Sequence, residues 1–281
     1  MDAKFTKASK GDSPGGATRP LVPSTGASSD PFTSLSFSLP NRGLIAPAPR
    51  EIEFRYLVPP HLLSSIIGSS DPKSIVQHYF PPSSLKGLLK RFSVHALVAG
   101  ADSFTSARVR KTLGQRGEVS YDIEFKGPKE KIHDLRISRA ELGISISPKE
   151  FKELRAAATA GMVRKLRYEV EGAVRYERAS IPIIAQIDVF KMAGSPSRRL
   201  EQEYVTADIE LSEARLVLPF CGGNHTFSFL SECIDMNANG KKIRKHLSSS
   251  QVAHAGLGKK QLAALDKAAK ILARRNSVRA E

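Results

Sequence analysis

Beyond residue 50 the chain alternates apolar and polar positions with a period of two, in segments separated by stretches rich in Gly, Pro and Ser. A period of two sends successive side chains to opposite faces of a strand, so the pattern predicts a strand-dominated domain with a few inserted helices. EIEFRYLV at 51–58 places Glu51, Glu53 and Arg55 on one face and Ile52, Phe54 and Tyr56 on the other. Arg108 and Arg110 alternate with Ala107 and Val109, and Asp122, Glu124 and Lys126 with Ile123 and Phe125. Lys165 and Arg167 alternate with Leu166 and Tyr168, and Asp208 and Glu210 with Ala207, Ile209 and Leu211. Helices are expected over 71–78 and 148–158, the second with Ser147 as N-cap ahead of Pro148. The closing KKQLAALDKAAKILARR spaces Leu262, Leu265, Ala269 and Leu272 by 3, 4 and 3, which predicts a basic amphipathic helix.

An antiparallel sheet with one wet face usually carries mixed polar residues there. Here the polar faces concentrate full charges, acidic on the first and last strands and basic on those between. Closing such a sheet with the charged face inward gives a tunnel whose carboxylates and cations oppose one another. Carboxylates at i and i+2 suit a hard cation such as Mg2+ or Mn2+, which prefers oxygen ligands, and Arg and Lys opposite suit phosphate oxygens. Burying charge is costly, so an inward charged face points to function.

Composition narrows the class. The 281 residues are 41% hydrophobic and contain no apolar run long enough to span a bilayer, and the N-terminus lacks the apolar core of a secretory signal, so a cytoplasmic protein is expected. Cys221 and Cys233 are too few for a disulfide framework, and neither they nor the histidines show zinc-ligand spacing. GLGKK at 256–260 lacks the earlier Gly and the Ser/Thr of a Walker motif. The net charge of +15 resides mainly in the ends. Three regions follow: a disordered Ser/Pro/Gly-rich arm over 1–49, a strand domain over 50–250, and a basic helical tail over 251–281.

The segments, in order, resemble the CYTH or triphosphate tunnel metalloenzyme superfamily. EIEFRYLV is similar to its opening E-x-E-x-K strand, SIVQHYF (74–80) to its I-x-Q-x-Y-L segment, ARVRK (107–111) to its R-x-R strand and IEFKGP (123–128) to its I-K-G-P strand. ISRAELGISISPKEFKEL (137–154) resembles the R-x-E strand and the helix after it. VRKLRYEV (163–170) resembles the K-x-R-Y strand, IDVF (187–190) the I-D-x-F strand and ADIEL (207–211) the E-x-E-L strand. The resemblance implies an α+β fold: an eight-stranded antiparallel β-barrel, the triphosphate tunnel, with covering helices. It implies a triphosphate substrate bound with Mg2+ or Mn2+. Glu51, Glu53, Asp208 and Glu210 become metal ligands, with Glu124 and Glu141 as further candidates, and Glu51, Glu53 and Arg55 the catalytic group. Arg55, Arg108, Arg110, Lys126, Arg139, Lys165 and Arg167 become phosphate binders. The chain departs from the pattern at Arg55, where the family has lysine, at Asp208, a shortened carboxylate, and at Gly143, where a further glutamate is common. Glu124 stands where the family more often has a small polar residue.

For a hydrolase of this kind, positioning and electrostatics supply most of the acceleration, with a carboxylate orienting the attacking water. Cyclisation of ATP to cAMP in the manner of class IV adenylyl cyclases is the alternative reaction. A third alternative is a polyphosphate- or RNA-binding module without turnover, its basic tail gripping a polyanion through charge. A homodimer is left open.

Overall fold

The period-two segments form strands in the computed structural model, which describes residues 46–48, 50–132, 136–191, 204–211, 213–236, 243, 247 and 259–280 and has ten strands among them. They are β1 (Arg50–Val58), β2 (Lys73–Tyr79), β3 (Ser106–Leu113), β4 (Val119–Lys126), β5 (Glu130–Ile132), β6 (Arg136–Ser145), β7 (Met162–Tyr176), β8 (Ala179–Lys191), β9 (Val205–Leu211) and β10 (Ile234–Asp235). Hydrogen-bonded neighbours run β1-β9-β8-β7-β2-β3-β4-β6, and β6 pairs back onto β1 through Glu51 opposite Arg139 and Glu53 opposite Ile137. Eight antiparallel strands therefore form a ring, while β5 and β10 extend it beside β6 and β1. This is the α+β tunnel fold expected from the sequence.

The apolar faces point outward and are covered by helices. Ile52, Phe54 and Tyr56 of β1, Ala185 and Ile187 of β8 and Ala207, Ile209 and Leu211 of β9 pack against α5 (Val217–Cys221) and the Phe227–Cys233 segment. Ala107 and Val109 of β3 and Ile123 and Phe125 of β4 pack against α2 (Leu85–Arg91), α3 (Val94–Leu97) and α4 (Pro148–Ala157). A short α1 (Leu63–Ile67) packs near β7. In α4 the Ser147 hydroxyl accepts from Glu150 N at 3.2 Å while the Glu150 carboxylate accepts from Ser147 N at 2.8 Å. These reciprocal bonds satisfy the first-turn donors and fix where the helix begins.

Two expectations are corrected. The segment 71–78 is not a helix: Lys73–Tyr79 is a strand paired on both sides, with Gln77 opposite Arg110 of β3 and Val163 of β7. Ring closure supplies hydrogen-bonding partners on both edges, and that outweighs weak local helix signals. The disorder expected over 1–49 does not hold at 47–48, where Pro47 bridges Ala99 in parallel and Ala48 is buried; residues 1–45 and 49 lie outside the described residues.

At one end of the ring the inward face turns apolar. Leu57, Val163, Phe190 and Tyr204 continue the inward parity of Arg55, Lys165, Asp188 and Asp208, yet they cluster with Ile234, Met236, Ile243 and Leu247. The expected tail helix, α6 (Lys259–Ala280), packs on this cluster. Its stripe is shifted from the expected one: Gln261, Ala264 and Ala268 are buried and Leu265 and Ile271 half-buried, whereas Ala269 is exposed. The Leu262 and Leu272 side chains lie outside the described residues. Ala264 and Ala268 let the helix approach closely, with Leu265 and Ile271 packed beside them. Among the described residues no helix is long and apolar enough to cross a membrane.

Candidate functional site

The pleat brings the charged faces of seven ring strands to one cavity of about 400 Å3. Glu51, Glu53 and Arg55 come from β1, Arg108 and Arg110 from β3, Glu124 and Lys126 from β4, and Arg139, Glu141 and Gly143 from β6. Lys165 and Arg167 come from β7, Gln186 from β8, and Asp208 and Glu210 from β9. Every site residue expected from the sequence lines this cavity. A second space of about 180 Å3 adjoins it, sharing Arg55, Arg108, Glu124, Lys126 and Arg139 and adding Tyr79, Ser106 and Lys129.

Strand register explains which charges meet. Arg55 lies directly opposite Asp208, and its Nε and Nη2 donate to the two carboxylate oxygens at 2.6 and 2.8 Å. Arg55 also approaches Glu53 at 2.8 Å, and Glu53 approaches Arg139 at 3.3 Å. Arg139 lies 3.8 Å from Glu141, which pairs closely with Lys126, directly opposite it. Arg108, opposite Glu124, donates to it from Nε at 2.6 Å, and Arg110 Nη1 reaches the other oxygen of Glu124 at 2.5 Å. Carboxylates thus stand among the basic strands as well as on the first and last, and the expected sorting of acids from bases is corrected to an interleaved lattice. Packing cations side by side without counterions would cost several kcal/mol per ion, which is why the acids are interspersed.

Asp188 was not among the expected site residues. It is wholly buried on β8, accepts 2.7 and 2.8 Å hydrogen bonds from Arg167 and pairs closely with Lys165. The signal was present in the alternation of Gln186 and Asp188 with Ala185 and Ile187. A lone acid in an otherwise apolar strand gives little warning that it anchors two cations of the neighbouring strand. Tyr168 packs outward beside the core, whereas Tyr79 lines the smaller space.

The electrostatics divide the carboxylates into two groups. Burial alone would raise Glu53, Glu124 and Asp188, but Arg55 with Arg139, Arg108 with Arg110, and Arg167 with Lys165 respectively hold them well below the usual range. Glu51 behaves oppositely: burial, a hydrogen bond with Glu141 and the charge of Glu210 push it up to about 9. Glu210 is also raised, chiefly by burial, with Asp208 and Glu141 adding repulsion. Among the cations, burial lowers Lys126 to about 8 beside Arg108 and Arg139, and Lys165 to about 7 despite Asp188.

Among the described residues no three His, Cys, Asp or Glu side chains make a preassembled metal cage. Asp208 and Glu53 are turned onto arginines and Glu141 onto Lys126, while Glu51 hydrogen-bonds Glu141 and feels the charge of Glu210. An all-oxygen set of this kind fits a hard divalent cation sharing its shell with water and phosphate. Arg110 Nε and Arg139 Nε are buried without a hydrogen bond, and both belong to groups suited to an anion.

No family model and no curated protein sequence matches this chain. Solved structures similar to it include the inorganic triphosphatase NE1496, at 16% identity over 73% of this chain and 95% of that chain, TM-score 0.37. Another is HpAC1 from Hippeastrum, a candidate adenylyl cyclase with a dominant triphosphatase activity, at 15% identity over 77% and 95%, TM-score 0.38. PH1819 from Pyrococcus horikoshii OT3 follows at 16% over 62% and 85%, TM-score 0.37. Likeness of this degree carries no function, and the tunnel is defined by the strand register of the chain itself.

Proposed function

We propose that the chain is a triphosphate tunnel hydrolase of the CYTH type, cleaving a phosphoanhydride bond of a triphosphate-bearing small molecule with Mg2+ or Mn2+. The observation that carries this reading is the convergence of seven cationic and six carboxylate side chains on one cavity. The near balance of charge matters: a triphosphate brings several further negative charges into a buried space, and they need divalent cations beside them. Glu51, Glu141 and Glu210 would hold the metal, which when bound would polarise phosphoryl oxygens and activate water.

The chain's own residues divide the remaining work. Arg108, Arg110, Lys126 and Arg139 on one wall, with Lys165 and Arg167 on another, hold the phosphates in line and absorb charge developing on their oxygens. Arg55 is clamped between Asp208 and Glu53, so it acts by positioning those carboxylates and by adding charge to the wall. Glu53, held ionised by its arginines, is a weak base. Glu51, pushed up to about 9, holds a proton near neutral pH and would give it up on joining the metal site, so it serves as a ligand rather than as the base, and the attacking water would be activated by the metal.

The test is release of phosphate from tripolyphosphate, thiamine triphosphate, ATP and 5′-triphosphorylated RNA with Mg2+ or Mn2+, alongside detection of cAMP. Hydrolysis of at least one substrate that is abolished in Glu51→Gln and Arg110→Ala is expected. Silence across the panel, with tripolyphosphate binding undiminished in Arg110→Ala, would overturn the reading, and cAMP without free phosphate would convert it to a cyclase.

A further inference from the structure

Glu124 is the counterion of Arg108, but it reaches a second arginine as well. It is 3% exposed, lies directly opposite Arg108 and also reaches Arg110 on the next inward position. Arg110 already has an acid across the strand pair, Asp122, at 3.6 Å. One Glu124 oxygen accepts from Arg108 Nε at 2.6 Å and the other lies 2.5 Å from Arg110 Nη1. Two guanidinium groups converging on the two oxygens of one anion is the arrangement by which arginine pairs grasp phosphate.

The surroundings leave room for that carboxylate to move. Its partner on β6 is Gly143, and a side chain started there would meet nothing within 4 Å. Arg110 Nε is buried without a hydrogen bond, and Glu124 Oε1 touches Arg110 without the alignment of one. Arg110 thus retains unused donor capacity at the edge of the cavity it lines.

Building on the hydrolase reading, we propose that Glu124 is an internal stand-in for phosphate: it occupies the Arg108–Arg110 site in the free protein and is displaced toward Gly143 by the ligand. The consequence is selectivity. A single phosphate exchanges one anion for another at this pair and gains little. A polyphosphate also engages Lys126, Lys165 and Arg167, and those contacts offset the displacement. Glu124 therefore sets a threshold that a polyphosphate clears and orthophosphate, a product of the reaction, does not.

The experiment is calorimetric titration of metal-free protein with orthophosphate and with tripolyphosphate, comparing wild type, Glu124→Gln, Glu124→Asp and Arg110→Ala, with Mn2+ titrated separately. Glu124→Gln should tighten orthophosphate and tripolyphosphate alike by about tenfold or more, while Mn2+ affinity stays within about threefold of wild type. Should Glu124→Gln fail to fold, Glu124→Asp keeps the charge but is too short to span both arginines, so the same change at smaller size is expected. Unchanged affinity for both anions in the folded variant makes Glu124 a structural counterion and overturns the proposal, and so does a tenfold loss of Mn2+ affinity, which would make it a metal ligand. Weakened tripolyphosphate binding in Arg110→Ala with no change in the Glu124 variants sinks this inference alone. Equal binding by wild type and Arg110→Ala, or none by wild type, removes the hydrolase reading and this inference with it.

Discussion

Asp208 receives both of its hydrogen bonds from Arg55, at 2.6 and 2.8 Å, from a directly opposed position across β1 and β9. The shorter acid and the longer base fit each other: a bidentate guanidinium spans the two oxygens where a lysine would contact only one point. Both side chains are nearly buried, so each depends on the other.

Removing one partner should therefore be worse than removing both. Asp208→Ala should destabilise the protein by about 3 kcal/mol or more, because a buried guanidinium is left with Glu53 alone. The double variant Asp208→Ala, Arg55→Met should recover much of that loss. Urea unfolding of the single and double variants measures both.

Asp188 anchors two cations, which makes it the most exposed point in the lattice to mutation. Asp188→Ala should cost about 3–5 kcal/mol by leaving Lys165 and Arg167 without their buried partner. Asp188→Asn, which retains acceptor oxygen but not charge, should cost less. Thermal and urea unfolding give the order.

Glu51 carries a signed pH dependence. Its carboxyl keeps a proton up to about pH 9 in the folded protein against 4.5 in the unfolded chain. The folded state thus binds more protons between those values, so the contribution is fully present below pH 4.5 and is lost as pH rises toward 9. Wild type should lose thermal stability across that window, and Glu51→Gln should lose less. Mn2+ binding at pH 7.5 should release about one proton in wild type, read from calorimetry in buffers of different ionisation enthalpy, and less in the variant.

The cations give the complementary dependence. With Lys126 lowered to about 8 and Lys165 to about 7, binding of a phosphate-free polyanion such as a polysulfate should weaken as pH rises from 6 to 9. A ligand that does not itself titrate in this range leaves the two lysines and Glu51 as the source of the change. Lys165→Arg, which stays charged, should flatten the profile.

At the apolar end of the ring, Ala268 of α6 is 1% exposed among Leu57, Phe190 and Met236. Ala268→Glu would bury an unpaired carboxylate there, lowering the melting temperature by roughly 5 °C or more if α6 stays docked. Ala269→Glu, one residue on and exposed, should leave the temperature nearly unchanged. Paired melting curves make the comparison.

The inward face was legible because strand alternation is local: Glu51, Glu53, Arg55, Arg108 and Arg110 declare their side of the sheet by parity alone. Helix α4 was legible for the same reason, since Ser147, Pro148 and Glu150 fix its start within four residues. The segment 71–78 was misjudged because the hydrogen bonds that make it a strand come from β3 and β7, far along the chain. In α6 the leucine spacing identified a helix; of its expected stripe Leu265 packs on the tunnel end and Ala269 is exposed, while Ala264 and Ala268 are buried.

What the sequence determined by itself, then, is which side chains face inward and that they are charged. Only the closed ring decided their pairing. Parity does not set register, and register puts Asp208 opposite Arg55, Glu124 opposite Arg108 and Gly143 beside Glu124. The same register gathers Glu51, Glu141 and Glu210, from three strands, into the cluster that raises Glu51. Coulomb energies in a buried space change steeply with separation and burial, so the character of each charge was fixed by tertiary structure although its identity and direction were not.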